Sequence, residues 1–434
     1  MNQTSSFQRT FLTHFMKSQT LSLSALFLLP FALVEASYSE SMDRLGVENP
    51  DFVFHLNLED DFATAGAFLT EAYMAYLMTG PQVPPVPVDA SRLFNRLGLN
   101  GLTTFSAVSE PRVEGGFRNQ MLYQFADSPK GLFLLTGEVN RPFSVQDTAP
   151  SDADLAAEFT FNGIALYQIA REIVVDVMGP MGEGMIETQL NRPVVPEGPT
   201  YADLLNRLST RAQIVARPET TTGKGPLAAV PLLNGQAAIR FANIADLLED
   251  VAPLLEMAGF VRSGDALWKA RFPAGEGSLS LFLEPLPGSN DLLLSLDDAS
   301  REWYRSGSSD ALANSPEFKE AISGLPDTGL SFWYSSERLS QIQIQSLESQ
   351  LGADPKFLPV IRIIQDFLGR FIGPQSGISR LEPDAYRILS LQPASYKTNL
   401  ALAGALIPVG FLNTLAPENE PAAANEDPDP SPAN

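Results

Sequence analysis

The feature that most restricts this chain is a short block that recurs three times. It reads Leu-Phe-Asn-Arg-Leu at 93–97, Leu-Leu-Asn-Arg-Leu at 204–208 and Phe-Leu-Gly-Arg-Phe at 367–371. Each block closes a helical pattern and is followed by an apolar extended stretch ending at Pro111, Pro218 or Pro383. The arginine of each block stands 43 to 53 residues after the start of a strand pattern that opens on aspartate, at 51–58, 154–161 and 327–334. Phe52, Phe54, Leu56 and Leu58 share one face of the first strand; Leu155, Ala157, Phe159 and Phe161 share one face of the second. Alternation with period two marks a half-buried strand. These strands run into apolar helical patterns at 62–78 and 164–178, and Val360, Ile361, Ile364, Phe367, Leu368 and Phe371 form a stripe at helical spacing.

The recurring unit is therefore strand, helix, loop, helix, strand. A helix stripe and a half-buried strand face bury each other. The expectation is an α+β fold: antiparallel sheet(s) with helices covering one side, built from three or four degenerate strand-helix-helix-strand repeats. The Pro- and Gly-rich stretches at 80–87 and 179–182 fall between the two helices of a unit, as connecting loops, with a flexible Met/Gly connector expected over 177–185. A divergent unit is expected to begin with a strand at 236–241. A helical stripe follows through Ile244, Leu247, Leu248, Val251, Leu254 and Leu255, kinked or ended by Pro253. Strands at 266–272, 278–283 and 291–296 come next, the last two joined by a hairpin turn over Gly288, Ser289 and Asn290. The predicted division is a signal peptide at 1–36, repeat units at 37–150, 151–233, 234–326 and 327–416, and a disordered acidic tail at 417–434.

The signal peptide rests on a polar start carrying Arg9 and Lys17, an apolar run of 14 residues at 21–34, and small Ala36 as the cleavage residue. A spanning helix needs roughly 20 apolar residues. The predicted location is thus exported, either periplasmic or secreted. Cleavage there leaves 398 residues with 27 basic and 50 acidic side chains, a net charge of −23. Such a chain repels nucleic acid and anionic membrane surfaces. Cysteine is absent, so no disulfide supports the exported fold. Stability must come from apolar burial, which a 44% hydrophobic composition can supply. The most apolar stretch of the mature part lies at 400–416. An anchor there would leave no Lys or Arg on the cytoplasmic side, against the positive-inside rule. A packed terminal element is the favoured reading over membrane contact.

The export signal, the strand opening Pro-Asp-Phe-Val-Phe-His-Leu at 50–56 and the recurring strand-helix units loosely resemble a class of uncharacterised exported bacterial proteins. The resemblance implies an extracytoplasmic repeated α+β fold and carries over no catalytic residue.

Chemistry is constrained mainly by what is scarce. His55 is the one histidine after the signal peptide, which rules out a His-based zinc site and leaves a Ser-His-Asp triad without a Gly-x-Ser-x-Gly elbow. Thr-Thr-Gly-Lys-Gly at 221–225 lacks the spacing of a phosphate loop. Acidic clusters at 59–61 and 297–298 lack the alternating ligand pattern of a calcium loop, and aspartates at a strand-to-helix junction ordinarily cap helices. Arg96, Arg207 and Arg370 suit the negative ends of helix dipoles. No catalytic, cofactor-binding or metal-ligating residue is assigned, and no cofactor is expected. Helix 62–78 is apolar nearly all round, and such helices are usually core, with an apolar ligand site as the alternative. The leading expectation is a non-enzymatic exported binding or envelope-associated protein accommodating an apolar small molecule or an envelope protein. Two alternatives stay open: a carboxylate-based hydrolase of an envelope or extracellular glycan, and a structural or adhesive surface protein.

Overall fold

The computed structural model describes residues 35–79, 88–196, 198–219, 235–264, 266–274, 277–305, 310–351 and 369–401. Residues 1–34 of the predicted export signal, the Pro-rich stretch 80–87, the sequence 221–225, most of the stripe 360–371, the apolar run beyond Ala401 and the acidic tail lie outside them. The chain enters through α1 (Glu35–Leu45) and β1 (Phe52–Asn57). Helices α2 (Asp61–Thr79) and α3 (Ala90–Arg96) follow, then strands β2 (Leu102–Pro111) and β3 (Phe117–Phe125). A short β4 (Arg141–Pro142) precedes β5 (Leu155–Thr160), the long helix α4 (Gly163–Leu190), α5 (Tyr201–Arg207) and β6 (Arg211–Pro218). Next come β7 (Gly235–Phe241), helical turns at Leu247–Asp250 and Ala252–Met257, and strands β8 (Val261–Ser263), β9 (Leu267–Ala274), β10 (Gly277–Pro285) and β11 (Leu292–Ser295). Helices α6 (Asp298–Arg305) and α7 (Pro316–Ala321) and a short β12 (Thr328–Gly329) lead to β13 (Ser331–Ser335). Helix α8 (Glu337–Leu351), β14 (Gln375–Glu382) and β15 (Ala385–Gln392) complete the order.

Thirteen strands form one antiparallel sheet in the order β1-β2-β3-β15-β14-β13-β5-β6-β7-β11-β10-β9-β8, and β4 pairs apart with β12. The fold is α+β, as the alternation of strand and helix patterns requires. β1 and β2, β5 and β6, and β13 and β14 are neighbours, each pair connected through residues that leave the sheet and return. β3, β7 and β15 then continue outward from β2, β6 and β14. The spatial order departs from the chain order at two places: β15-β14-β13 sits between β3 and β5, and β11-β10-β9-β8 runs in reverse after β7. β15 pairs with β3 along its whole length and β13 does the same with β5, so the last described segment joins the first and second into one sheet.

The two faces carry different covers. On one, here the α2 face, Leu56, Phe105, Tyr123, Phe125 and Tyr386 cluster with Phe62 and Phe133. Further along the same face, Phe241, Leu283, Leu292 and Trp268 cluster with Leu204 and Leu248. The opposite face, here the α1 face, buries Val108, Leu122 and Ala385 under Leu45. Its centre buries Ala156, Val215, Phe332, Tyr334, Ile378 and Leu389 with Phe318 of α7. Helices thus cover both faces, which corrects the expectation of helices on one side. The reason is visible in β13: Trp333 points to one face and Phe332 and Tyr334 to the other, so both need cover. Completely buried side chains such as Leu122, Leu293 and Val215 each contribute about 1.5–3 kcal/mol of transfer free energy.

Helix α4 also differs from expectation. The connector anticipated over 177–185 is reduced to Gly179, whose φ of 62° and ψ of −152° are non-helical. Pro180 then opens a second helical arm, where its fixed φ and missing N–H are harmless. Arg171 pairs with Glu183 and with Glu187, at 3.8 Å for the latter. In a straight helix residues 171 and 183 would stand roughly 18 Å apart at 1.5 Å per residue. The second arm therefore folds back on the first at Gly179. A Cβ on Gly182 would lie 2.7 Å from the Val174 carbonyl oxygen, so the arms approach too closely there for a larger residue.

Candidate functional site

The site is built on α2, α3 and α4. Two devices hold α3 against α2. A Cβ on Gly66 would fall 2.6 Å from Ser91 Cα, so glycine permits near backbone contact between the helices. Thr70 Oγ1 accepts from the Ala90 N–H at 2.9 Å while donating to the Gly66 carbonyl at 2.8 Å. Phe62 meets Phe94 edge to face, with ring centroids 5.8 Å apart. The Asp89 side chain accepts from the Arg92 N–H and caps α3. At the other end of α3, Arg96 binds Asp176 through Nε at 2.8 Å and Nη2 at 3.3 Å, and Glu172 through Nη1 at 3.1 Å. The Arg96 hydrogen bond holds the Asp176 carboxyl below its ordinary pKa, against a smaller opposing effect of burial. Arg96 does lie in the last turn of its helix, as the dipole argument requires. Its carboxylate partners on α4 were invisible in sequence, because they lie 76 and 80 residues away.

What α2 presents outward is unusual. Phe62, Ala63, Gly66 and Thr70 face α3 or the body of the protein, on one stripe of the helix. Most of the remaining surface is exposed and apolar: Phe68 is 68% exposed, Met78 83%, and Leu69 and Met74 are also exposed. The expectation that this all-round apolar helix is core is corrected by these exposures. Helix α4 shows the same property on both arms, at Ile164, Leu166, Met178, Met181 and Met185, with Met181 73% exposed. Among the described residues, ten of the nineteen exposed large apolar side chains lie on these two helices, so the exposure is concentrated rather than scattered.

The sheet beneath repeats the asymmetry. In β13, Phe332 and Tyr334 of the α1 face are buried while Trp333 of the α2 face is half-buried. In β5, Ala156 and Glu158 are buried while Leu155, Ala157 and Phe159 are half-buried. Ile214 of β6 and Ile239 of β7 continue this partly exposed apolar row, in register with Ala157. Gly377 of β14 leaves room for Trp333 to lie across it, since a Cβ there would sit 2.6 Å from the indole Nε1. The α2 face is therefore apolar yet incompletely covered through the middle of the sheet.

Among the described residues the buried charges lie on the α1 face, and each is paired. Glu158, 1% exposed, accepts from the N–H groups of Ser144 at 2.8 Å and Val145 at 2.7 Å and pairs with Arg211. Glu284 accepts from Arg301 Nε at 3.0 Å and Nη2 at 2.9 Å, and pairs with Arg305. Burial pushes Glu284 upward, but its arginines outweigh that and the net shift is downward. Asp291 behaves alike: burial raises it, and the Asn243 N–H and Arg240 bring it below the ordinary value. The carboxylates of Asp176, Asp203, Asp246, Glu284, Asp291, Glu382 and Asp384 are all held below the ordinary carboxylate range by their hydrogen-bond and ion-pair partners. His55 lies on the α1 face of β1, hydrogen-bonded to Ser106 Oγ at 2.8 Å and edge to face with Tyr38; burial lowers its pKa.

The remaining singled-out residues are structural in their surroundings. Arg207 pairs with Asp250 and Asp246, linking α5 to the helical turn that follows β7. The Asp60 carbonyl accepts the Thr64 N–H at 2.9 Å at the start of α2, with a φ of 62° at Asp60. The side chain of Arg370 lies outside the described residues. Among the described residues no cluster of His, Asp or Glu could hold a metal ion, and no helix is long and apolar enough to cross a membrane. Among the described residues, one cavity of about 190 Å³ has a mixed lining that includes Arg112, Glu320, Pro374 and Leu391, and one of about 220 Å³ is lined mainly by polar residues, among them Glu59, Thr104 and Gln124. Neither lies on the α2 and α4 surface. No family model matches the sequence, no curated protein matches it, and no solved structure matches its fold.

Proposed function

We propose that this is an exported, non-enzymatic binding protein that engages an apolar partner through the exposed surfaces of α2 and α4. The observation that carries the reading is the concentration of exposed apolar side chains on these two helices, which α3 holds in place. A surface of this kind exposed to water marks an interaction site in a soluble protein. The exposed apolar side chains of α2 and α4 stand on an outer surface, away from the two cavities of about 190 and 220 Å³. Methionines make up five of the ten residues, and their flexible, polarisable side chains adapt to varied apolar shapes. The chain between β1 and β2, and again between β5 and β6, leaves the sheet through helices, where it can vary without disturbing the core. The test uses an environment-sensitive apolar dye. The double variant Phe68→Asp, Met181→Asp should bind it about tenfold more weakly with an unchanged unfolding midpoint, since both side chains are already in water. Unchanged dye binding would refute the reading.

A further inference from the structure

Resting on that reading, we infer that the occupant of the α2 and α4 surface is an apolar polypeptide segment flanked by lysine or arginine. The argument is one of charge. Neither α2 nor α4 contains lysine, and Arg171 is the one arginine between them. Around the apolar residues stand Glu71, Glu172, Asp176, Glu183 and Glu187. Against these five carboxylates are set two guanidinium groups: Arg96 is shared by Glu172 and Asp176, and Arg171 by Glu183 and Glu187. Arg92 of α3 adds nothing to the balance because Asp89 matches it. Among the described residues the exposed apolar side chains of α2 and α4 thus stand amid net negative charge, with Glu187 54% and Glu172 45% exposed.

That border selects among occupants. A second copy of this chain would bring the same acidic rim and a formal net charge of −22 to the contact. An anionic lipid surface meets the same repulsion. A basic-flanked apolar segment matches both parts of the surface: its apolar stretch covers exposed side chains such as Phe68, Leu69 and Met74 of α2 or Met181 of α4, and its cations complete the under-neutralised rim. Methionine at Met74, Met78, Met178, Met181 and Met185 lets the surface accept different apolar side chains, so charge at the flanks, rather than shape, sets the selectivity.

The test measures fluorescence anisotropy of two labelled Leu/Ala peptides on the full chain, one flanked by lysines and its twin by glutamates. Each is about 18 residues long, the span of α2 at 1.5 Å per residue. The lysine peptide should bind about tenfold more tightly at low salt, and the gap should close at several hundred millimolar NaCl as screening shortens. The variant Glu71→Lys, Glu187→Lys should erase the preference while circular dichroism stays unchanged, because both side chains are exposed. Equal binding of the two peptides overturns the inference but leaves the apolar surface standing. Binding of phosphatidylcholine vesicles without either peptide also overturns it, in favour of a neutral lipid surface. Failure of the apolar dye, both peptides and the vesicles overturns this inference and the proposed function together.

Discussion

Replacing Arg96 by methionine should detach α3 from α4 while leaving the sheet intact. Methionine keeps the unbranched stem and the helix propensity, so the change removes charge and hydrogen bonds with little else. The magnitude follows from exposure. The Asp176 side chain is 14% exposed and Arg96 35%, so their paired hydrogen bonds are partly shielded from water; Glu172 is 45% exposed and its bond counts for little. Exposed pairs contribute about 0.2–1 kcal/mol and breaking a fully buried one costs about 3–5, which places Arg96→Met near 1.5 kcal/mol. The pH dependence has a definite sign. Asp176 has a lowered pKa in the folded protein, so its contribution is present above the unfolded carboxylate value and is lost as pH falls through the lowered folded value. Urea unfolding of wild type and variant should therefore differ by about 1.5 kcal/mol at pH 7 and converge in strong acid. Hydrogen exchange should accelerate in α3 and the first arm of α4, with the central strands unaffected. Adding Asp176→Asn to Arg96→Met should cost little more, because the partner is already absent. A loss that persists undiminished in acid, or full additivity of the two changes, would show that the pair is not what joins the helices.

Three further outcomes follow from other sites. Arg301→Met leaves Glu284 buried with Arg305 as its one remaining arginine and should cost about 3 kcal/mol by denaturant unfolding. Adding Glu284→Leu should recover most of that loss, since a buried pair replaced by apolar groups is nearly neutral. Leu293→Ala, at a completely buried position of β11, should cost about 2–5 kcal/mol in the same assay through lost transfer energy and the cavity left behind. Gly66→Val should force α2 away from Ser91, weakening apolar-dye binding and exposing the α2–α3 seam to proteolysis before global unfolding; a protease pattern identical to wild type would count against the close contact.

Local chemistry made much of the fold readable. Alternation of apolar and other residues in 52–57 and 155–160 marked β1 and β5 because side chains of a strand point alternately to two faces. The hairpin between β10 and β11 was legible from Gly288, whose φ of 78° suits glycine at the turn. Pro253 was expected to kink or end a helical stripe; the stripe does break at Val251, and Pro253 sits in the first turn of the helical segment that restarts there, where proline fits. The reversal at Gly179 was misjudged in extent, since sequence cannot distinguish a one-residue reversal from a longer connector when helix-forming residues continue on both sides. The candidate surface was less legible still. Apolarity all round a helix usually means burial, and nothing within 61–79 states which neighbours are absent.

The division has a single physical origin. Properties set by a residue and its near neighbours were determined by the sequence: helix and strand periodicity, the α+β class, the lack of disulfide and thiol chemistry, and the acidity that disfavours nucleic acid. Only the tertiary structure decided that β13, β14 and β15 enter between β3 and β5, that both sheet faces are covered, and that α2 and α4 keep their apolar surfaces in water. Those outcomes depend on pairings such as Leu391 with Arg118 and Arg96 with Asp176, between residues far apart in the chain. Strand pairing and helix cover are chosen by competition among all such distant surfaces, and a local pattern describes each surface without naming its partner.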